Sequence, residues 1–370
     1  MRTYILKRLL LMIPTLVGIT MVVYFIVRLA PGDPIEAMIR NQSGNIDPKA
    51  MKESADKIRE RLGLIEYHFL RDPLFGPEKS WAEKPVGAWF WTVDSADKVA
   101  SAAVGYVNWF GHLVRGDFGE SVKFRSSGGS RSPLALIFER IPRTFTLNII
   151  SEILIFFIAI PAGFAAARYQ GKWFDRASSV VFLALWSIPA TLAGTLLIAY
   201  LGVGGEGVEW FPVGNLHALG YEKFAWGRYL GDLFRHATLP VICLVYGGFA
   251  YLAKMGRASL LENLRADYVR TARAKGLPEE QVVYRHALRN SLLPMITMMV
   301  LAIPGLIGGS VIVEYIFSIQ GTGLLLVDAA KAYDLALIMA EVLLYGVLTL
   351  LFLLIGDILY AWADPRVRYE

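Results

Sequence analysis

Residues 177–203 read ASSVVFLALWSIPATLAGTLLIAYLGV, twenty-seven positions without one charged side chain. A hydrocarbon core roughly 30 Å thick takes about 20 helical residues, so the run reads as a bilayer-crossing helix. Five further stretches share its character: 9–27, 144–167, 237–253, 290–313 and 335–356. Three of these also lack charge, while 144–167 and 335–356 each hold one glutamate, Glu152 and Glu341. The run at 237–253 is the shortest and is expected to borrow a turn from its flanks. Together the six segments predict an all-α membrane protein with six transmembrane helices.

The remaining composition fits a bilayer protein. Hydrophobic residues make up 55% of the 370 positions, above the roughly 45–50% of soluble chains. The net charge of +5 is divided among separate loops. No continuous basic stripe results, so no nucleic-acid partner is expected. Cys243 is the single cysteine, which excludes an internal disulfide and a cysteine-based zinc site. The sequence has no G-x-x-x-x-G-K-[ST] run to cradle ATP phosphates. His68, His112, His217, His236 and His286 are too scattered for a metal-ligand pair on one helix face. No cofactor, metal site or catalytic residue is expected.

Arg2, Lys7 and Arg8 precede the first apolar run, as in a secretory signal. A signal's apolar region is only about 7–15 residues long and ends at small residues. Here the uncharged run is 19 residues and Arg28 follows it, so it reads as an uncleaved first helix. Basic residues of short loops collect on the cytoplasmic side. With the N-terminus inside, the inner segments hold 16 Lys and Arg, eight of them between Lys254 and Arg289; the two short outer loops hold 4. Residues 31–143 carry 16 basic and 15 acidic side chains, and long segments cross regardless of charge. This predicts cytoplasmic termini and an external segment at 31–143. The domains are then 1–30 (first helix), 31–143 (external) and 144–370 (a five-helix core with a cytoplasmic loop at 254–290).

That loop contains ADYVRTARAKGLPEE at 266–280. Leu261, Leu264, Tyr268 and Ala272 recur at three- and four-residue steps, as on one face of an amphipathic helix. Gly276 fits a helix end, and Pro278 with Glu279 and Glu280 fits a new start. The pattern predicts two helices with a sharp break, offering Ala272, Ala274 and Gly276 as a close-approach surface. A basic segment lying on anionic lipid would use the same arginines. Small residues at the bend favour protein docking over lipid.

The run DYVRTARAKGLPEEQVVYRHALRNSLLP (267–294) resembles the cytoplasmic loop of permease subunits in the dipeptide/oligopeptide/nickel class of bacterial ABC importers. Further segments resemble that family in the same order: FIVRLAPGDP (25–34), WFGHLVRGDFGES (109–121), IFERIPRTFTLN (137–148), RHATLPV (235–241), VEYIFSIQGTGLLLVDA (313–329) and ADPRVR (363–368). The resemblance implies a type I importer permease fold in the bacterial inner membrane. It also implies a homologous second permease, two ABC ATPase subunits and an external solute-binding protein as partners. A short helix of the loop would insert into a groove on an ATPase, here at Arg270, Thr271, Ala272, Arg273, Ala274, Lys275 and Gly276. The wider importer motif begins Glu-Ala-Ala; here those positions read Arg270-Thr271-Ala272. Peptides are the family's majority cargo, with nickel, opines and oligosaccharides as alternatives. A secondary transporter would instead be expected to show inverted repeats with facing broken helices, and no such paired pattern is seen.

Charges inside a span are rare and point to function by default. Glu152 is either part of an aqueous translocation path or a hydrogen-bonding group between helices. Glu341 and Asp357 lie nearer the ends of the last span and are expected to be structural. Pro161, Pro189 and Pro304 lie inside spans and permit bends. Residues 65–104 form an insert relative to the resembled family. Its Trp81, Trp89 and Trp91 suit a contact with the binding protein or the outer headgroup belt.

Overall fold

The computed structural model describes residues 2–29, 88–121, 124–126, 129–207 and 210–363. Most of the 65–104 insert, including Trp81, lies outside the described residues, as do Arg366 and Arg368. In chain order the elements begin with α1 (Arg2–Leu29), α2 (Ala88–Val114) and α3 (Pro133–Arg168). Between α2 and α3, β1 (Arg125–Ser126) pairs antiparallel with β2 (Gly129–Ser130). Then come α4 (Trp173–Ser187), α5 (Ala190–Leu201), α6 (Trp226–Leu264) and α7 (Asp267–Ala274). A segmented run follows: α8 (Glu279–Gln281), a π-helical turn at Val282–Ala287, α9 (Leu288–Ser291) and α10 (Leu293–Gly308). The chain closes with α11 (Val311–Ile316), α12 (Thr322–Lys331) and α13 (Leu335–Ala363).

Among the described residues, five helical stretches are long and apolar enough to cross a membrane: 4–29, 133–168, 226–264, 279–316 and 335–358. The sixth expected span, 177–203, is not continuous. It divides into α4 and α5, bent by 90°. Ile188 and Pro189 both adopt extended backbone. Proline has no N–H to give and disfavours helical geometry in the residue before it. The Tyr246 hydroxyl donates to the Ile188 carbonyl at 2.8 Å, satisfying a group that neither helix can bond. Pro161 and Pro304, by contrast, stay inside uninterrupted helices. The short span at 237–253 does extend, α6 running to 39 residues.

The chain forms two compact units. Among the described residues the larger holds 138–327 and 348–363. Its core brings Leu147 of α3, Leu239 and Val241 of α6, and Val313 and Phe317 together. A second cluster joins Ile155 and Ala159 of α3, Phe182 of α4, and Ala250, Leu252 and Ala253 of α6 to Met295. Gly163 is required there: a Cβ at that position would run into the backbone of Ala253. A buried polar node lies between α3 and α12. Glu314 is fully buried and accepts from the Thr144 hydroxyl at 3.0 Å and the Leu324 N–H at 3.1 Å. Thr144 in turn accepts from the Thr322 N–H at 2.8 Å. Glu314 thereby serves the first turn of α12 from another element. An added Cβ at Gly321 would strike its carboxylate, and one at Gly323 would run into the backbone of Val311.

The smaller unit holds the described residues up to 137 together with 328–347. Tyr106 of α2 packs edge-on against Tyr24 of α1, ring centroids 5.6 Å apart. The Tyr106 hydroxyl donates to the Val17 carbonyl at 3.0 Å. Part of the segment expected to be external is therefore a helix packed along the middle of α1. Asp334 caps α13 through the Leu337 N–H at 3.2 Å and accepts from the Ser121 hydroxyl at 2.5 Å.

Candidate functional site

The 254–290 loop is built around α7. Eight residues are too few for a helix to be stable alone in water, so tertiary burial must hold it. Val269 and Ala272 turn inward against Leu260 of α6, Ala167 of α3, and Val282 and Ala287 of the π-helical turn. Leu261, Leu264 and Leu277 cover the edges. Fully burying the valine side chain is worth about 1.5–3 kcal/mol. Across the base of the loop the Ser259 hydroxyl donates to the Ser291 carbonyl at 3.1 Å. The single amphipathic helix expected through Leu261, Leu264, Tyr268 and Ala272 is interrupted: α6 ends at Leu264, and Ala266 in extended backbone starts α7. Tyr268 points outward instead and donates to Asn263 Oδ1 at 2.6 Å.

The outer face of α7 is polar and open. Arg270, Thr271, Arg273, Ala274, Lys275 and Gly276 are exposed, and Ala272 alone of the seven expected contact residues is buried. Arg270 reaches Asp267 at 3.3 Å. Arg273 makes a two-pronged contact with Glu279, Nη2 to Oε1 at 2.7 Å and Nε to Oε2 at 3.0 Å. That hydrogen bonding holds the Glu279 carboxyl below its usual range. Both partners are exposed, and such surface pairs contribute only about 0.2–1 kcal/mol, so the pair closes the turn without fixing the loop. Gly276 has φ of +78°, a left-handed value that glycine adopts without strain, and it reverses the chain before Pro278. The π turn beyond it adds a residue to the helical repeat, a local irregularity common at functional positions.

Glu152 lies in α3, sixteen residues or about 24 Å of helix from Arg168 at its end. It is half-buried and forms no hydrogen bond or ion pair among the described residues. One turn before it, Asn148 donates to the Gly305 carbonyl of α10 at 3.0 Å. The structure does not bring Glu152 to the 254–290 loop. A cavity of about 470 Å³ opens instead at the α4–α5 bend, lined by Trp186, Ile188, Cys243, Tyr246, Ser310 and Ile312 among others. No cluster of three His, Cys, Asp or Glu side chains able to hold a metal occurs among the described residues. His217 and His236 instead share Asp232, at 3.0 and 3.3 Å, as a clasp between the loop before α6 and α6 itself.

Several groups escaped the sequence reading. Asp175 and Arg257, 82 positions apart, form a two-pronged ion pair; nothing local links them. Glu314 lies inside the run 313–329 that carried the family resemblance, and the glycines at 321 and 323 were the available signal.

Residues 159–369 match the family described as binding-protein-dependent transport system inner membrane component. Curated relatives align end to end. The chain is 35% identical over 369 residues to the oligopeptide transport system permease protein AppB of Bacillus subtilis (strain 168), covering all of both chains. It is 32% identical over 384 residues to the inner membrane ABC transporter permease protein YejB of Escherichia coli O157:H7, and 32% over 371 residues to the glutathione transport system permease protein GsiC of Escherichia coli (strain K12), again with full coverage of both. With its apolar helices and this match over more than half its length, the chain belongs to the family of inner-membrane permease subunits of binding-protein-dependent ABC transport systems.

Proposed function

We propose that this subunit forms half of the translocation pathway for peptides or peptide-like solutes. It pairs with a homologous permease, receives solute from an external binding protein and is driven by two separate ABC ATPase subunits. The relatives named for oligopeptide and glutathione transport support this cargo class. Both termini and the 254–290 loop are cytoplasmic, as the distribution of Lys and Arg argues, and Glu152 contributes to the path. ATPase closure displaces α7, and the helix bundle passes between inward-open and outward-open arrangements; nucleotide biases that two-state equilibrium.

The observation that carries the reading is α7 itself. Val269 and Ala272 go into its own small core, and six small or basic residues are exposed on the rest of its surface. Arg270, Thr271, Arg273, Ala274, Lys275 and Gly276 contact the ATPase, while Ala272 supports them from behind. Ala274→Glu places a carboxylate on the open face without disturbing that core. It is expected to abolish co-purification of the ATPases and uptake, with the permease still inserted and folded. Full ATPase retention in this variant would show that the contact lies elsewhere. Ala272→Glu is a poorer probe, because it buries a charge and unfolds the loop.

A further inference from the structure

Asp175 is the third residue of α4 and is buried. Its carboxylate accepts from Arg257 Nε at 2.5 Å and Nη2 at 2.9 Å. The Gly171 N–H, in the turn after α3, donates to the same carboxylate at 2.9 Å. One side chain thus joins the end of α3, the start of α4 and the cytoplasmic extension of α6.

The position of Arg257 on α6 matters. Leu260, Leu261 and Leu264 follow it at three, four and seven residues, on the helix face that packs against α7. The guanidinium therefore continues the stripe that carries the loop. On the α4 side apolar support beside Asp175 is slight: Phe174 is half-buried, its ring edge-on to Tyr169 just past the end of α3. Trp173 is 78% exposed and Arg176 is exposed. The first buried apolar residue of α4 is Phe182, two turns on, edge-to-face with Phe249 at 5.3 Å. Apolar contacts resist separation but tolerate sliding. A planar, two-pronged guanidinium–carboxylate pair fixes both distance and orientation. From Asp175, α4 runs as one rigid rod to the bend at Ile188–Pro189 and the cavity beside it.

We propose that Asp175 and Arg257 form the tie through which displacement of α7 reaches α4 and changes the α4–α5 bend. They are positioning residues and touch no solute. The inference rests on the reading of α7 as the ATPase contact.

The test uses the complete complex in a Cys243→Ser background, with spin labels at Val180 on α4 and Leu196 on α5, both exposed. Distances across the bend are measured by pulsed electron resonance, without nucleotide and with vanadate-trapped ATP. In the otherwise wild-type complex the distance distribution shifts on trapping. Asp175→Asn with Arg257→Gln replaces the ion pair by neutral groups of similar volume. This pair variant is expected to trap nucleotide within about two-fold of wild type and to lose the shift, a coupling loss of roughly ten-fold. A merely structural pair would leave the shift intact wherever the complex assembles. Should the pair variant fail to assemble, Arg257→Lys decides, since it keeps the charge and loses the fork; it is expected to reduce the shift. A full shift in either assembled variant overturns the tie alone. A wild-type complex that shows no shift with trapped nucleotide, or binds no ATPase, overturns the tie together with the function proposed above.

Discussion

Glu314→Ala is the substitution whose cost follows most directly from the geometry. It removes the acceptor on which the Gly323 and Ser310 amides converge and which takes its closest bonds from two buried donors, the Thr144 hydroxyl and the Leu324 N–H. An orphaned buried donor costs about 1–3 kcal/mol. The two do not suffer equally. Thr144 can turn its hydroxyl toward Thr322 Oγ1, 3.2 Å away, whereas the Leu324 amide is fixed by the backbone of α12. The carboxylate also fills the space left by Gly321, so truncation leaves a void that the glycine has no side chain to fill. Adding one full orphan to a modest void gives about 2–4 kcal/mol. Glu314→Gln keeps one oxygen for Leu324 and turns its amide toward Thr144, whose oxygen has a second lone pair; its cost is about 0.5–1.5 kcal/mol. Equilibrium unfolding of the purified subunit in mixed micelles with increasing dodecyl sulfate would give both values. Hydrogen exchange at the Leu324 amide should also accelerate in the alanine variant. An alanine variant within about 0.5 kcal/mol of wild type, or a glutamine variant as damaged as alanine, would refute the reasoning.

Single cysteines at Gln42 and Lys275, with Cys243 replaced, should label from outside and inside the cell respectively; labelling of both from one side would sink the proposed orientation. Glu152→Gln should change uptake kinetics with little loss of thermal stability, and the reverse pattern would assign Glu152 to helix packing. Gly163→Ala should destabilise the protein by about 1–3 kcal/mol through overpacking against Ala253. Gly231→Ala, a helical glycine with open space around it, should be neutral or slightly stabilising, and equal melting temperatures for the two would show that the α3–α6 crossing has slack.

Span existence was legible from uncharged length alone, because a bilayer imposes that requirement on each segment separately. The reversal at Gly276 and Pro278 was equally local, since each residue carries its own backbone preference. Orientation around a helix was harder. Ala272 carried two cues, small size pointing to the surface and spacing grouping it with Leu261 and Leu264; the fold follows the spacing for Ala272 but turns Tyr268 outward, because α7 starts afresh at Asp267. The break at Pro189 was one of three proline signals that look alike in sequence. At Pro189 the Tyr246 hydroxyl, 57 residues away, takes up the freed carbonyl of Ile188, a partner that sequence spacing does not reveal. Pairs such as Asp175 with Arg257 leave no trace in a single sequence, because their meeting is a product of the whole fold.

The bend at Ile188–Pro189 has a practical side for anyone labelling this protein. Cysteine-free backgrounds are customarily made with alanine, and Cys243 looks like harmless filler. Its thiol, however, lies 3.4 Å from the Ala190 carbonyl at the start of α5, just past the carbonyl held by Tyr246. A thiol is a weak donor, but it is the side chain that the fold places on that carbonyl. Serine preserves a donor there and alanine does not. Reporter cysteines on an alanine background would therefore be placed in a protein whose corner had already been loosened.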